Sequence, residues 1–220
     1  MAVMKAAPSP LTPADPPRPG LRERKKIKTR EAIRGAAFAL IGEQGYAATT
    51  IERIAERAEV SPSTVIRYFP AKEDIVLTDE YDRPMAAALA ARPAGEPWPA
   101  SVRHVLRGAV RRAMAEQPEV TLLRARLLAE VPAVRSRTRE SLSATGRLLA
   151  DAIAARTGLD PDGLEVRVAT TSLLGGLLEA ATYWAERDHT DDLAALLDRA
   201  LDVVEHGLPT AKSRSGGHRT

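Results

Sequence analysis

The stretch TTIERIAERAEVSPSTVIRYFPAK, residues 49–72, decides the fold, because it predicts two short helices joined by a tight turn. The first of these helices has one apolar face at helical spacing, formed by Ile51, Ile54 and Ala55. Thr49 and Glu52 have the spacing of a capping box, which predicts that this helix begins at Thr49. The apolar pattern stops at Glu59, so we expect the turn there.

The second helix of the pair has its own start signal. Ser61 can cap it, and Pro62 stands at the first helical position, where a missing N–H has no cost. Val65 and Ile66 offer an apolar face; one should be core, and the other could contact a thymine methyl group. A helix, a short turn and a second helix with small polar residues and an arginine are typical of the helix-turn-helix, whose second helix enters the DNA major groove.

About residues 28–77 resemble the DNA-binding domain of the TetR family of transcriptional regulators. The residues that carry the resemblance are Gly45-Tyr46-x-x-Thr49-Thr50-Ile51-x-x-Ile54-Ala55, Val60-Ser61-x-x-Thr64 and Tyr68-Phe69-Pro70-x-Lys72-Glu73-Asp74-Ile75. The resemblance implies a DNA-binding head, a helical body that encloses a small-molecule pocket, and a homodimer. Two positions depart from the usual pattern: Glu59 stands where glycine is frequent, and Ser63 where glycine or arginine is common. A left-handed Glu59 would cost about 1 kcal/mol.

Eight residues are the candidate DNA contacts: Thr50, Ser61, Pro62, Ser63, Thr64, Arg67, Tyr68 and Lys72. Arg67 has the longest reach and either reads guanine bidentately or binds a phosphate. Thr50 is a helix cap, a phosphate ligand, or both. Thr64 and Tyr68 are expected on phosphates. Lys72 opens a helix, where a cation opposes the macrodipole, so a phosphate partner would explain it; an ordinary surface lysine is the alternative.

The charge is distributed unevenly along the chain. Residues 1–72 carry 13 Lys and Arg against 7 Asp and Glu, whereas residues 73–208 carry 16 against 22. A basic head on an acidic body suits one end that meets a polyanion. The chain has no cysteine, which excludes disulfides and Cys-based zinc sites, and no run approaches the length of a transmembrane helix. We therefore expect a cytoplasmic protein without membrane contact.

Sparse aromatic and β-branched residues together with abundant Ala and Leu predict an all-α fold. The predicted division is a disordered arm (1–20), the helix-turn-helix domain (21–75), a regulatory and dimerisation domain (76–208) and a disordered tail (209–220). In the first helix, residues 22–43, the buried stripe is Ile33, Ala36, Ala37, Leu40 and Ile41. A fourth helix is expected over residues 71–92, broken or kinked at Pro84, and the kink is hypothesised to pass a body movement to the head. Five body helices are expected over 101–115, 118–130, 132–157, 161–186 and 190–206.

Residues 170–184, TTSLLGGLLEAATYW, are almost entirely apolar or small and must be buried on most of their surface. In TetR-like proteins the last two helices form a four-helix interface with those of a second copy, and Gly175 and Gly176 would allow close helix approach there. Burial inside one chain is the alternative that periodicity leaves open. A two-fold homodimer also fits the reading of a palindromic operator.

Residues 122–142 resemble the regulatory domain of actinobacterial members similar to the mycofactocin regulator, a group associated with fatty acyl-coenzyme A ligands. The resemblance implies a small-molecule effector, with an acyl-coenzyme A as the candidate, and no cofactor. The candidate ligand-binding residues are His104, Arg124, Tyr183 and Trp184. Five arginines could bind an acidic ligand or form surface ion pairs: Arg107, Arg111, Arg112, Arg124 and Arg126. For His104, Tyr183 and Trp184, plain core packing is the alternative.

Catalysis finds no support in the sequence. It lacks a phosphate-binding glycine loop, a G-x-S-x-G elbow and an H-E-x-x-H pair, and its four histidines show no metal spacing. We therefore expect a ligand-responsive transcriptional regulator, a repressor in most members of the family, that binds a palindromic operator as a homodimer. A constitutive architectural DNA-binding protein without a ligand is the alternative, and activation instead of repression stays open.

Overall fold

The computed structural model describes residues 20–77 and 82–209, without the side chains of residues 82, 83 and 142–144. These residues form ten α-helices and no strand, so the predicted all-α class is confirmed. The two segments predicted to be disordered lie outside the described residues, apart from Gly20 and Pro209. Among the described helices, every one falls short of the length and hydropathy that crossing a lipid bilayer requires.

The DNA-binding head consists of four helices: α1 (Leu21–Gln44), α2 (Ile51–Arg57), α3 (Pro62–Tyr68) and α4 (Lys72–Val76). One apolar cluster joins all four, formed by Ile33, Ala36, Ala37, Leu40, Ile54, Ala55, Val65, Phe69 and Ile75. The predicted stripe of α1 is buried throughout. Because α2 and α3 each bury one face in this cluster, their other faces remain available to a partner.

The caps of α2 and α3 follow from the sequence with one correction. The capping box predicted at Thr49 was wrong by one residue, because Thr49 is fully buried and donates its hydroxyl to the Gly45 carbonyl at 2.9 Å. Thr50 caps α2 instead, and its Oγ1 accepts from the Arg53 amide at 3.3 Å. Ser61 caps α3 as predicted, with its Oγ 3.2 Å from the Thr64 amide.

The turn between α2 and α3 uses a left-handed residue. Glu59 has a φ of 54°, the conformation in which glycine is common in the family pattern. A side chain in this region costs about 1–2 kcal/mol, which the packing on both sides of the turn must offset.

The fourth predicted helix, residues 71–92, is two separate helices. Helix α4 ends at Val76, after which Leu77 is extended, with φ −72° and ψ 145°. Helix α5 (Asp82–Ala90) then begins, and Pro84 lies in its first turn, where the backbone N–H would have no helical partner. The helix is interrupted at Leu77 and not at Pro84, so the predicted break or kink at Pro84 was wrong.

The body adds five helices to α5: α6 (Trp98–Glu116), α7 (Pro118–Glu130), α8 (Pro132–Thr157), α9 (Leu164–Glu186) and α10 (Leu193–His206). Helices α9 and α10 begin three residues later than predicted. Residues 161–163 form a turn before α9, and Asp192 caps α10 by accepting from the Ala194 amide at 3.0 Å.

The head and the body meet at an apolar junction. Ile41 of α1 and Val76 of α4 pack against Leu127 of α7 and Val134 of α8 in one buried cluster. Arg137 of α8 adds an ion pair with Asp74 of α4, 2.6 Å between Nε and Oδ1. The end of α4 is therefore held by groups of the body as well as by its own domain.

Candidate nucleic-acid interface and body cavities

Helix α3 presents one face to the core and the other to solvent. Val65 is fully buried, whereas Ile66 is 53% exposed, which resolves the ambiguity between these two residues. Ser61, Pro62, Ser63 and Arg67 are exposed beside Ile66. An exposed apolar side chain among hydroxyls and an arginine can contact a thymine methyl group and base edges in a major groove.

A small hydroxyl network covers the start of α3. Ser61 Oγ lies 2.9 Å from both Ser63 Oγ and Thr64 Oγ1. Because a hydroxyl both donates and accepts, the three can rotate together to offer donors to a phosphate or a base edge. Thr64 is half-buried, so Ser61 and Ser63 are the more accessible members.

Arg67 extends from the last turn of α3 beside Tyr68, with its guanidinium carbon 5.6 Å from the ring centroid. Tyr68 is half-buried against the head core, which leaves its outer side to support Arg67. Stacking of a guanidinium on an aromatic ring restricts its rotamers while its donors stay available. This geometry suits either of the two roles predicted for Arg67.

Lys72 is the candidate whose surroundings differ most from a simple phosphate ligand. Its ammonium donates to the carbonyls of Tyr46 at 2.8 Å and Thr49 at 2.9 Å, and it lies 3.9 Å from the centre of the Tyr46 ring. Partial burial lowers the pKa of Lys72. Two of its three N–H donors thus hold the loop between α1 and α2, and one remains.

Tyr46 completes this tie between the loop and α4. Its hydroxyl donates to Glu73 Oε1 at 2.5 Å. Burial, together with the hydrogen bond to the Glu73 carboxylate, raises the pKa of Tyr46 far above its usual value, so the phenol stays protonated. In the sequence Tyr46 stands only among the residues that carry the family resemblance, and its hydrogen bond to Glu73 could not be foreseen from spacing.

Two cavities lie side by side in the body. One, of about 260 Å³, has an almost wholly apolar wall that includes Met85, Leu106, Leu149 and Leu177. The other, of about 330 Å³, carries polar groups as well, among them Thr121, Arg124, Thr138, Ser141 and Trp184. Thr145 and Ala181 line both, so the two volumes adjoin. Together they have the character of a site for a molecule with an apolar and a polar part.

The structure separates the four predicted ligand-binding residues. Arg124 and Trp184 lie in the wall of the polar cavity. Trp184 is 3% exposed and donates its indole N–H to the Asp191 carbonyl at 2.8 Å. Tyr183 is 37% exposed and lines an open groove along α9 and α10 instead. His104 is exposed and is not among the residues that line the two cavities.

The five candidate arginines also divide. Arg107 pairs with Asp198 of α10, which Arg103 also binds at 3.1 Å, so Arg107 forms the ion pair that was its alternative role. Arg111, Arg112 and Arg126 are exposed. Arg124 is half-buried, and its Nε donates to the Val76 carbonyl at 3.1 Å. Only Arg124 of these five combines burial with a place in the polar cavity.

Comparison with known proteins fits both halves of this architecture. Residues 33–78 match the family model described as bacterial regulatory proteins, tetR family, and residues 96–209 match the MftR C-terminal domain. The chain belongs to the TetR family. It is a helix-turn-helix transcriptional regulator and not an enzyme.

Curated TetR-family relatives align over almost the whole chain. The HTH-type transcriptional regulator TcmR of Streptomyces glaucescens is 37% identical over 212 residues, which covers 91% of this chain and 93% of TcmR. The fatty acid metabolism regulator protein of Bacillus subtilis (strain 168) is 26% identical over 196 residues, 84% of this chain and 98% of that protein.

Solved TetR-family structures share the fold. FadR of Thermus thermophilus, a repressor crystallised in complex with lauroyl-CoA, superposes with a TM-score of 0.57 at 24% identity and covers 86% of this chain and 100% of its own. FadR of Bacillus subtilis in complex with stearoyl-CoA gives a TM-score of 0.57 at 23% identity, with 81% and 99% covered. At this identity the likeness concerns the fold alone.

Proposed function

We propose that this TetR-family regulator is a repressor that binds a palindromic operator as a homodimer and is released from it by a small molecule. One observation carries the proposal: an exposed helix-turn-helix face and a cavity-bearing body share the end of α4. Val76 belongs to α4, Leu77 follows it, and both line the polar cavity. An occupant of that cavity would therefore touch the helix that positions the head.

The proposed DNA contacts follow from the exposed face of the head. Ser61, Pro62, Ser63 and Arg67 would face the major groove with Ile66, which the sequence left undecided. Thr50, Thr64, Tyr68 and the remaining N–H of Lys72 would hold phosphates. The basic residues at the start of α1 would add contacts to the phosphate backbone that are independent of sequence.

The proposed dimer would form through α9 and α10. Their outer surface leaves large apolar side chains exposed, namely Leu164, Val168, Tyr183 and Val203, and the exposed Leu208 follows just after α10. Gly175 is exposed there, and an added Cβ would meet nothing within 4 Å in the same chain. Gly176 instead approaches α10 of its own chain, where an added Cβ would lie 3.7 Å from Ala200. An apolar surface of this kind is typical of an interface between copies.

The proposed effector is an amphiphile, with its apolar chain in the smaller cavity and its polar end beside Arg124. The two FadR structures hold lauroyl-CoA and stearoyl-CoA, and together with the MftR-type body this supports an acyl-coenzyme A as the class to test first. The effector would bind more tightly when the heads are arranged for release than when they are arranged for DNA. The ratio of these two effector affinities sets the factor by which operator affinity falls. We further propose a domain boundary at residues 75–76, in the last turn of α4, because Val76 at its end already packs against the body. We also propose a cytoplasmic location, where a regulator meets the chromosome.

The test is a fluorescence-anisotropy titration of the purified protein on the DNA upstream of its own gene, with scrambled DNA as the control, repeated with lauroyl-CoA. Specific binding that lauroyl-CoA weakens supports the proposal. Specific binding that neither lauroyl-CoA nor stearoyl-CoA weakens retains the regulator and rejects this ligand class. Equal, weak binding to both DNAs would favour the architectural alternative.

A matched pair of variants connects the response to the cavities. Ala181→Met fills the junction of the two cavities, whereas Ala155→Met places the same side chain on the exposed face of α8. We expect A181M to bind the operator like the wild type and to lose the lauroyl-CoA response, and A155M to retain both. A full response in A181M would place the effector elsewhere.

A further inference from the structure

Arg124 of α7 stands where the head, the end of α4 and the polar cavity meet. Its Nε donates to the Val76 carbonyl at 3.1 Å. Its guanidinium carbon lies 5.0 Å from the ring centroid of Phe38, a residue of α1 in the head. The same side chain lines the polar cavity with Trp184. The Arg124 side chain thus contacts both the proposed effector site and the helices of the head.

Two other arginines hold the same helix end from outside the cavity. Arg34 of α1 donates from Nη2 to the Leu77 carbonyl at 3.1 Å. Arg137 of α8 binds the Asp74 carboxylate, with Nε 2.6 Å from Oδ1 and Nη2 3.2 Å from Oδ2. Neither is among the residues that line the polar cavity. Within the described part of the chain, Arg124 is therefore the one of these three arginines that an occupant of the cavity can reach.

We propose that Arg124 is the residue that senses the effector, a proposal that rests on the proposed function. An effector that carries an anionic oxygen, such as a carboxylate or a phosphate, would draw the guanidinium away from Val76. The donors of a guanidinium are fixed in one plane, so turning toward an acceptor in the cavity redirects Nε. A hydrogen bond from a guanidinium to an anion is stronger than one to a neutral carbonyl, which favours the exchange.

The expected consequence is a shift in the position of α4. Val76 packs with Ile41 of α1 at the junction of head and body, so a freed Val76 carbonyl loosens the contact that orients the head. Movement of the Arg124 guanidinium away from the Phe38 ring would also loosen the contact between α7 and α1 of the head. Linkage then requires that operator DNA weaken effector binding by the same factor by which the effector weakens operator binding.

The experiment uses the full chain with Trp98→Phe, which leaves Trp184 in the cavity wall as the single tryptophan reporter. Trp184 emission measures binding of lauroyl-CoA, and anisotropy measures operator affinity with and without it. Arg124→Met keeps an unbranched side chain without the charge, and Arg137→Met removes the other tie between α4 and the body.

We expect lauroyl-CoA to weaken operator binding about tenfold or more in the reference protein, a typical allosteric coupling. Arg124→Met should still bind lauroyl-CoA, but the ratio of its operator affinities without and with lauroyl-CoA should fall below about twofold. Arg137→Met should keep the ratio of the reference protein. A full ratio in Arg124→Met, or an equal loss in Arg137→Met, would overturn the role of Arg124.

A second arm needs no effector. If Arg124 acts by holding Val76, Arg124→Met without effector should bind the operator as weakly as the reference protein does in the presence of lauroyl-CoA. Its Tm should lie within about 3 °C of the Tm of the reference protein without effector. Unchanged operator affinity in Arg124→Met contradicts the proposal whatever the effector is. If lauroyl-CoA leaves the operator affinity of the reference protein unchanged, only the acyl-coenzyme A class is rejected. The operator affinity of Arg124→Met without effector then decides the role of Arg124.

Discussion

The head and the body of this protein are packed in opposite ways. In the head, Ile33, Ile54, Val65 and Ile75 have no exposed surface, and together they join its four helices into one cluster. In the body, the apolar residues fall into separate clusters with two adjoining cavities between α5–α10. A domain that recognises a DNA sequence must hold its contact residues in one rigid arrangement, whereas a domain that binds a small molecule must leave space for it. This difference in packing is what the proposed division of tasks between the two halves requires.

The largest expected effect tests this contrast directly. Phe69→Ala removes a fully buried ring from the head core, and we expect a loss of about 3–5 kcal/mol in the free energy of unfolding. Leu106→Ala removes a half-buried side chain that already borders a cavity, so we expect a loss below about 2 kcal/mol. Urea unfolding followed by circular dichroism measures both. Equal losses would mean that the two halves are packed alike.

The next effect concerns binding and sharpens the role of the exposed head face. Arg67→Ala should weaken operator binding by about 1–3 kcal/mol. Arg147→Ala is the control, since it removes the same charge from the body surface and only an exposed ion pair with Asp162. A loss confined to the operator identifies base reading, whereas an equal loss on scrambled DNA with a salt slope smaller by about one identifies a phosphate contact. Wild-type affinity in R67A would remove Arg67 from the interface.

A smaller effect compares left-handed residues in the two halves. Glu59→Gly should stabilise the turn between α2 and α3 by about 1 kcal/mol, because glycine adopts a φ of 54° without a Cβ clash. Asp188, at a φ of 52° in the body, should gain less from the same change, since Asp tolerates this region better than Glu. Thermal unfolding would show a rise of about 2–4 °C for E59G. Glu56→Gly, inside α2, is the control and should lower Tm.

The smallest effect depends on pH and lies in the body. Glu96 accepts from Arg92 at 2.6 Å and from Ser101 at 2.6 Å, which lowers the pKa of its carboxyl to about 2. Because the folded pKa lies below the unfolded value of about 4.3, the stabilisation is complete above that pH and is lost toward pH 2. Glu96→Gln should therefore lower Tm slightly at pH 7, by roughly 2 °C or less, with a difference that vanishes near pH 2. A constant difference across this range would exclude ionisation as its cause.

The sequence predicted those features whose signals are local. Ser61 and Pro62 mark the start of α3 through their own chemistry, and the body helix over residues 132–157 was predicted to the residue. Thr49 and Thr50 could not be distinguished, because the choice of cap depends on the burial of Thr49 under the Gly45 carbonyl.

The end of α4 could not be predicted for a different reason. Residues 85–91, MAAALAA, are good helix formers, and no glycine stands between Val76 and Gly95, so the sequence favoured one helix past Val76. The observed end is instead accompanied by hydrogen bonds to the Val76 and Leu77 carbonyls from Arg124 and Arg34, which lie far away in sequence. Similarly, nothing in periodicity separates Trp184, inside the body, from Tyr183 and His104 outside the cavities. Long-range contacts decide these positions, and one sequence does not display them.

The double hydrogen bond of Lys72 to Tyr46 and Thr49 has a consequence for how the head opens. It joins a loop to a helix that lies more than 20 residues later, together with the Tyr46–Glu73 hydrogen bond. Residues 46–49 should therefore not fray on their own, and their amides should exchange with solvent only when α4 itself detaches. The head would then behave as a single foldon, in which even the connection between its first two helices shares the protection of its last.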